Sequence, residues 1–416
     1  MINFFKKKSI AALKWSEQYT KTDMVYLAKG GFWLGLGKIL SLAISFALSV
    51  IFAKYWNPTD YGTYKYILSW IGLLGIFSLS GIDAAVLQSV ARGFEGSFIK
   101  GFKTKLKWGV LSSLAACGLS GYYLLHQNYR LAIPILISAA ILPFFNAFGI
   151  YNSFLNGKKI FNYQIKYSSL SQFIYSLSLI IVLLLTKNLF WMIATYLISR
   201  TALNIFFYWR AKNKFKINDL ESPETIPYGK NLTIMNVIST IAGQIDQILL
   251  FTIIGPTQLA IYSFALVGPE KIKEILKLLN TLAFPKFSAK EKELLKPAII
   301  PKFWLLMILS VIIIIVYIIL APFFYKLFFP QYMASVPYTR FLSLIIFGFP
   351  VSFLFTYFQA KIMTKYLYII KIIQPIIQIL LMVILVKFYG VWGIMSAIII
   401  STFLSLILHL ILIKKS

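Results

Sequence analysis

Acidic residues are scarce in this chain: Asp and Glu number 13 among 416 residues, against 41 Lys and Arg, for a formal net charge of +28. Cysteine and histidine are scarcer still, with Cys117, His126 and His409 the whole supply. One cysteine excludes an intrachain disulfide framework. With no His, Cys, Asp and Glu cluster at ligand spacing, no metal site is expected. Charge of either sign is low as well, at 13% of residues, whereas a soluble domain carries about 25%. In its place stand 59% apolar residues and a mean hydropathy of +0.77. No soluble fold hides so much apolar surface, because a chain of this size leaves about a quarter of its surface in water. A soluble enzyme, a disordered tail and a disulfide scaffold are thereby excluded, and an all-α polytopic membrane protein remains.

A membrane core of about 30 Å needs about 20 apolar residues per helix. Twelve segments qualify, over 30–53, 63–89, 108–125, 131–155, 167–185, 189–208, 232–254, 259–285, 302–320, 336–358, 367–386 and 391–412. The apolar run is cleanest from Phe303 to Leu320 and weakest in 259–285, which carries Glu270, Lys271, Lys273, Glu274 and Lys277. Residues 1–29 alternate bulky apolar and basic side chains without a long apolar run, which predicts a helix lying on the cytoplasmic membrane face rather than a cleaved leader.

Basic residues set the orientation, because cytoplasmic loops collect Lys and Arg. With the N-terminus inside, 29 Lys and Arg fall on inside segments and seven on outside ones, the seven including Lys54, Lys65 and Arg130. Both termini are then cytoplasmic. Most of the positive charge sets topology and meets anionic phospholipid, so it requires no nucleic acid. The longest inside loop, 209–231, separates an N-terminal lobe of six helices over 30–208 from a C-terminal lobe of six over 232–416. The two halves share a faint pattern. Pro58, Thr59 and Tyr64 after the first span match Pro256, Thr257 and Tyr262 after the seventh, and Trp191 and Trp392 match near the ends of the halves. An even number of spans per half predicts parallel repeats, related by an axis along the membrane normal.

These pieces carry a family resemblance. The Gly-rich start of the first span, the Ala53-Lys54 exit, the Pro58 to Tyr64 turn and Gly81-Ile82-Asp83 resemble the opening of Wzx-type polysaccharide flippases. That group lies within the multidrug/oligosaccharidyl-lipid/polysaccharide exporter superfamily. Gln244-Ile245-Asp246-Gln247, the Pro256 turn, Tyr262 and Phe284-Pro285-Lys286 resemble the second-half opening of the same family. The resemblance implies a two-lobed fold like that of multidrug-and-toxin extruders. It also implies translocation of an undecaprenyl-diphosphate-linked oligosaccharide from the inner to the outer leaflet of a bacterial plasma membrane. The cargo would be an O-antigen or related repeat unit, and other polysaccharide-assembly proteins would be partners.

An ionisable group inside a span costs about 2.5–3.5 kcal/mol on insertion scales, so each is a candidate site residue. Lys38 either snorkels to the inner headgroups or faces an internal cavity beside Gly31 and Gly35. Arg200 cannot shed its proton and needs water, an acid or a phosphate. In the eighth span, Lys271, Lys273 and Lys277 either pair with Glu270 and Glu274 along the helix or line the cavity with them. Asp246, between Gln244 and Gln247, either pairs with a lysine of the next span or serves as a proton or sodium coupling site. Asp83 is expected to pair with Arg92 or Lys29. A diphosphate cargo would use Lys38, Arg200, Lys271, Lys273 and Lys277, and the glycan would use amides and aromatic residues. The competing readings are a multidrug-type cation antiporter, whose cavity would be acidic, and a polytopic O-antigen polymerase or lipid-dependent glycosyltransferase. The enzyme readings need acid–base groups on large outside loops, and the largest, 321–335, has no Asp, Glu or His. No cofactor and no catalytic residue is expected.

The orientation predicts that, with Cys117 replaced by Ser, a cysteine at Asn57 reacts with an impermeant thiol reagent added outside intact cells, while one at Asn218 reacts only after the membrane is opened. External labelling of Asn218→Cys would invert the topology.

Overall fold

The computed structural model describes residues 24–289, 292–361 and 363–415, all of them in helices or the short turns between helices. Most of the membrane-face segment expected over residues 1–29 lies outside the described residues. Among the described residues nine helices are long and apolar enough to span a membrane, and a bent pair, Pro58–Ser78 with Gly81–Ala91, makes a tenth. Two features of the remaining helices bring the structure into line with the twelve predicted spans. Pro256–Ala289 is 34 residues long but carries the five predicted charges, so composition alone passes it over. Thr364–Lys415 is one helix by hydrogen bonding, but a straight helix of its 52 residues would reach about 78 Å. Gly390, at φ 54°, breaks it. Beyond the break the chain doubles back: Ser405 Oγ donates to Gln374 Oε1 at 2.8 Å, and the Tyr366 hydroxyl meets the Lys415 carbonyl at 3.2 Å.

The twelve spans are therefore α1 (Met24–Tyr55), α2 (the bent pair Pro58–Ser78 and Gly81–Ala91), α3 (Ser97–Leu125), α4 (Tyr129–Gly157), α5 (Phe161–Thr186) and α6 (Leu189–Lys214), followed by α7 (Thr225–Ile253), α8 (Pro256–Ala289), α9 (Lys292–Phe328), α10 (Pro330–Ala360), α11 (364–389) and α12 (391–415). Their turns fall into two groups at opposite ends, as alternating inside and outside loops require. At one end Glu95, Lys158 and the 215–224 linker meet; at the other Asp60 pairs with Arg130, and Gln331 donates to the Lys54 carbonyl. The linker is shorter than the expected 209–231 and is fastened down. Asn218 bonds the backbone of Glu95 and Gly93, the Gly96 amide donates to the Leu220 carbonyl, and Lys100 pairs with Glu221 at 2.7 Å.

Close packing between the two halves depends on small residues, the usual means of helix association in a membrane. Asn57 caps α2 by accepting the Thr59 amide, with Pro58 in the first turn. This geometry places Thr59 Oγ1 3.1 Å from Thr257 Oγ1, its counterpart at the repeat offset of 198. The two residues that match at that offset thus meet at the contact between the halves. One turn along, a side chain at Gly62 would run into the Pro256 carbonyl. At the bend of α2, Gly81 lies against the Gly229 carbonyl of α7, and its amide donates to Thr233 Oγ1 at 2.9 Å. Aromatic rings fill the end nearest the threonine pair: Tyr61 stacks on Phe264, and Tyr66 stacks on Phe251.

The threonine contact predicts that Thr59→Cys with Thr257→Cys, in a Cys117→Ser chain, forms an intramolecular disulfide on mild oxidation. Mass spectrometry of the linked peptides detects it. Absence of the linkage in folded protein would contradict this packing.

Candidate functional site

The charges placed in the spans separate into three groups. The first lies where the two halves meet. Lys38 of α1 pairs with Glu274 of α8 at 2.7 Å, and Lys271 of α8 donates to Ser45 of α1 at 2.8 Å. Lys38 therefore neither snorkels nor stands free. No direct ion pair forms along α8 between Glu270 and Lys273 or between Glu274 and Lys277, although Glu270 lies within electrostatic reach of Lys273. Behind this contact Asp246 is buried at the start of the Ile245–Ile253 segment. Its Oδ2 accepts the Tyr262 hydroxyl at 2.6 Å, while Oδ1 has no hydrogen-bonding side-chain partner. Lys65 of α2 lies within electrostatic reach of Asp246, Glu270 and Lys271. The partner of Asp246 on the next span is thus a tyrosine, Tyr262, in place of the expected lysine, and the nearby cation comes from the other half. Lys65 is a site residue that loop counting missed. It sits seven residues after Pro58, at the outer end of the predicted span 63–89, and counts among the outside basic residues, but α2 begins at Pro58 and carries it further into the span. Gln244 reaches Gly72 of α2, and Gln247 lies half-buried beside Asp246.

The second group belongs to the first half. Arg200 of α6 donates from Nη1 to the Tyr196 hydroxyl at 3.0 Å. Its guanidinium lies 5.1 to 5.5 Å from the ring centres of Tyr175, Tyr196 and Phe145, a cation held by aromatic faces. Among the described residues no carboxylate pairs with it. Nearer the basic end, Asp83 pairs with Lys105 of α3, both oxygens accepting at 2.7 and 2.8 Å. This corrects the expected partners of Asp83: Arg92 turns instead to Glu224 at 3.7 Å, and the Lys29 side chain lies outside the described residues.

The third group lies inside the second half. A cavity of about 390 Å³ between α7, α8, α10, α11 and α12 is lined by Lys273, Lys277 and Lys371, together with Gln374, Gln378 and His409. The described lining contains no carboxylate. At about 100° per residue, Lys273 and Lys277 lie on one side of α8, and Glu270 and Glu274 lie about 60° round from them. That offset sends the lysines into this cavity and Glu274 to the other half. The five cations expected to act together on one diphosphate therefore do not converge: Lys38 and Lys271 lie between the halves, Arg200 in the first half, and Lys273 and Lys277 in the second. Lys371, which lies at the inner end of the predicted span 367–386 and counts among the inside basic residues, joins the last two.

The family model described as polysaccharide biosynthesis protein matches residues 27–289, more than half of the chain. The chain belongs to the polysaccharide biosynthesis protein family. No curated protein sequence matches it. Among solved structures, the inward-facing conformation of a multidrug resistance MATE family transporter of the MOP superfamily is similar, with a TM-score of 0.66 at 15% identity, covering 91% of this chain and 98% of that one. An outward-facing MATE structure gives 0.61 at 14% identity, over 93% and 95%. A MOP superfamily transporter from Pyrococcus furiosus, described as having a binding pocket of reverse polarity that suggests a different function, gives 0.59 at 15% identity, over 93% and 96%. The resemblance to Wzx-type flippases thus holds at the level of the family, and the fold is that of MOP superfamily transporters. This polysaccharide biosynthesis family member is a multi-pass membrane protein with the fold of the MATE transporters it resembles.

The Asp83–Lys105 pair predicts that Lys105→Met, which leaves the carboxylate without its ammonium, destabilises the protein by about 1–3 kcal/mol. Adding Asp83→Asn recovers most of that loss. Thermal unfolding in detergent reads both effects; an unchanged Lys105→Met protein would mean the pair contributes nothing.

Proposed function

We propose that this protein is a flippase that moves a polyprenyl-diphosphate-linked oligosaccharide across a bacterial inner membrane, with both termini in the cytoplasm, by alternating access between its two halves. One observation carries the reading: among the charges of the spans that form no ion pair, basic groups outnumber acidic ones. Glu274 has Lys38 and Asp83 has Lys105, while Asp246 and Glu270 lie in the field of Lys65, and Glu270 also in that of Lys273. Arg200, Lys273, Lys277 and Lys371 are in no ion pair among the described residues. An interior with surplus base favours an anionic cargo and opposes an organic cation, which argues against a multidrug-type antiporter. The Pyrococcus furiosus relative supports using pocket polarity in this way, since its reversed pocket is linked to a different function.

The cargo's parts map onto separate chemistry. The diphosphate needs ammonium and guanidinium groups, for which charge-assisted hydrogen bonds are strongest. The glycan needs amides and aromatic faces, such as those around Arg200. The polyprenyl tail stays in lipid. Anionic phospholipids surround the basic end, and other polysaccharide-assembly proteins receive the product. Directed transport needs an energy source, and Asp246 is the carboxylate best placed to take a proton or Na⁺. It is buried, it has an unpaired oxygen, and it bridges α7 to α8 through Tyr262. Loading that oxygen would compete with the pull of Lys65 and so change how the halves adhere.

In cells that depend on this protein for surface glycan, Arg200→Ala is expected to abolish glycan display at unchanged protein level. Asp246→Asn is expected to reach the membrane and lose the part of transport that follows an imposed ion gradient, while Asp246→Glu keeps part of it. Normal display in Arg200→Ala cells would remove Arg200 from cargo binding. Full gradient dependence in the Asn variant would remove Asp246 from coupling.

A further inference from the structure

The geometry points to the cavity inside the second half as a self-contained phosphate-binding site, in which Lys273, Lys277 and Lys371 grip the diphosphate of the carrier lipid apart from the contact between the halves. The inference rests on the anionic-cargo reading above and gives that cargo's head a location.

Three lysines from two different helices face one space of about 390 Å³ without a carboxylate in the described lining. Gathering like charges at membrane depth is costly, and each unpaired ammonium there carries its own insertion cost. Such a group is stable only with an anion or water among its members. Lys273 and Lys277 are successive turns of α8, and Lys371 faces them from α11, so an anion between them is gripped from two sides. Lys371 is only loosely held by protein, its Nζ lying 3.5 Å from Asn236 Oδ1. Gly348 of α10 leaves room for the Lys273 stem, which lies 3.3 Å from where a side chain at that position would begin.

The polar wall carries one fixed donor and one open acceptor. Ser405 Oγ gives its proton to Gln374 Oε1 at 2.8 Å, which fixes the amide so that its NH₂ is left for the cavity. His409 is 1% exposed, and its Nδ1 lies 2.7 Å from the Ser405 carbonyl. A carbonyl only accepts, so Nδ1 carries the hydrogen. Nε2 is buried with no protein partner. A buried polar atom left open in a native wall marks the place of a water or ligand, and here a water that donates both to Nε2 and to a phosphate oxygen supplies the missing donor. The cavity also lies on the side from which a carrier lipid of the inner leaflet arrives. Lys371 is seven residues into α11, about 10 Å from the basic end. The space suits a diphosphate and leaves little for sugars, so the glycan is left to the space between the halves and to the aromatic groups near Arg200.

Diphosphate on a carrier lipid and phosphate on an ordinary anionic phospholipid present the same oxygens, and the test separates them. The full chain is purified into phosphatidylcholine nanodiscs, and binding of farnesyl diphosphate, a soluble prenyl diphosphate, is measured by calorimetry. Lys273→Ala, Lys277→Ala and Lys371→Ala are each expected to weaken binding about tenfold or more, the scale of one charged hydrogen bond. Lys371→Arg should retain binding, and Lys326→Gln, at the opposite end of the molecule, should leave it unchanged. A reading that needs no variant comes from amine acetylation of the wild-type chain, in which farnesyl diphosphate should protect Lys273, Lys277 and Lys371 but not Lys326. Binding that ignores all three lysines, with no protection, overturns the site even if the protein flips its cargo. Displacement of farnesyl diphosphate by equimolar phosphatidylglycerol also overturns it, in favour of a phospholipid site. If binding depends on the lysines as expected and yet no lipid-linked sugar is transported, the site stands and the flippase reading fails.

Discussion

A charge carried into the middle of a membrane costs about 2.5–3.5 kcal/mol unless something there answers it, and the interior of this protein is organised by how each charge is answered. Carboxylates are answered by protein. Glu274 has an ammonium from the other half, Asp83 has one from the neighbouring span, and Asp246 has a tyrosine hydroxyl. Cations are answered differently. Arg200 is held by aromatic faces and one hydroxyl, and the three lysines of the second-half cavity share a space with amides and an imidazole. Acids thus fasten helices together, and bases are left open toward a ligand. That division gives the interior its polarity and argues for an anionic cargo.

The same division links the halves to each other. Near the threonine pair the contact is tight: Thr59 meets Thr257, Gly62 lies under the Pro256 carbonyl, and aromatic rings stack across the seam. Toward the basic end of α1 and α8 the contact is made by long polar side chains, Lys38 with Glu274 and Lys271 with Ser45. A partly exposed ion pair contributes at most about 1 kcal/mol, so this seam separates at less cost than the packed one. Alternating access requires seams of this kind, in which charges exchange partners while no apolar core is torn open.

Much of the fold was legible in the sequence because hydropathy responds to burial in lipid, which needs no knowledge of partners. All twelve spans stand where apolar runs place them, including α8, whose charges hide it from a composition test. The Pro-Thr turn was legible too, since proline and an asparagine cap act locally, and the matching threonines meet in space. Partners were harder to read. Asp83 cannot reach Arg92, which nine residues on in the same helix lies about 13.5 Å away on the opposite face; that it meets Lys105 of α3 is a tertiary fact with no local signal. Lys65 and Lys371 stand near the ends of the predicted spans 63–89 and 367–386 and count toward the loop charges, because each lies within two turns of a helix start, where charge counting cannot tell headgroup depth from span. The two faces of α8 were visible on a helical wheel, but which half each face addresses depends on packing.

The measurement closest to the central claim is transport by the purified protein in proteoliposomes. A fluorescent polyprenyl-diphosphate oligosaccharide is placed in one leaflet and its appearance in the other is followed, with efflux of an organic cation measured in parallel. A positive interior predicts that the glycolipid crosses at a rate well above that of protein-free vesicles, while the cation is retained. Efflux of the cation with no movement of the glycolipid would contradict it.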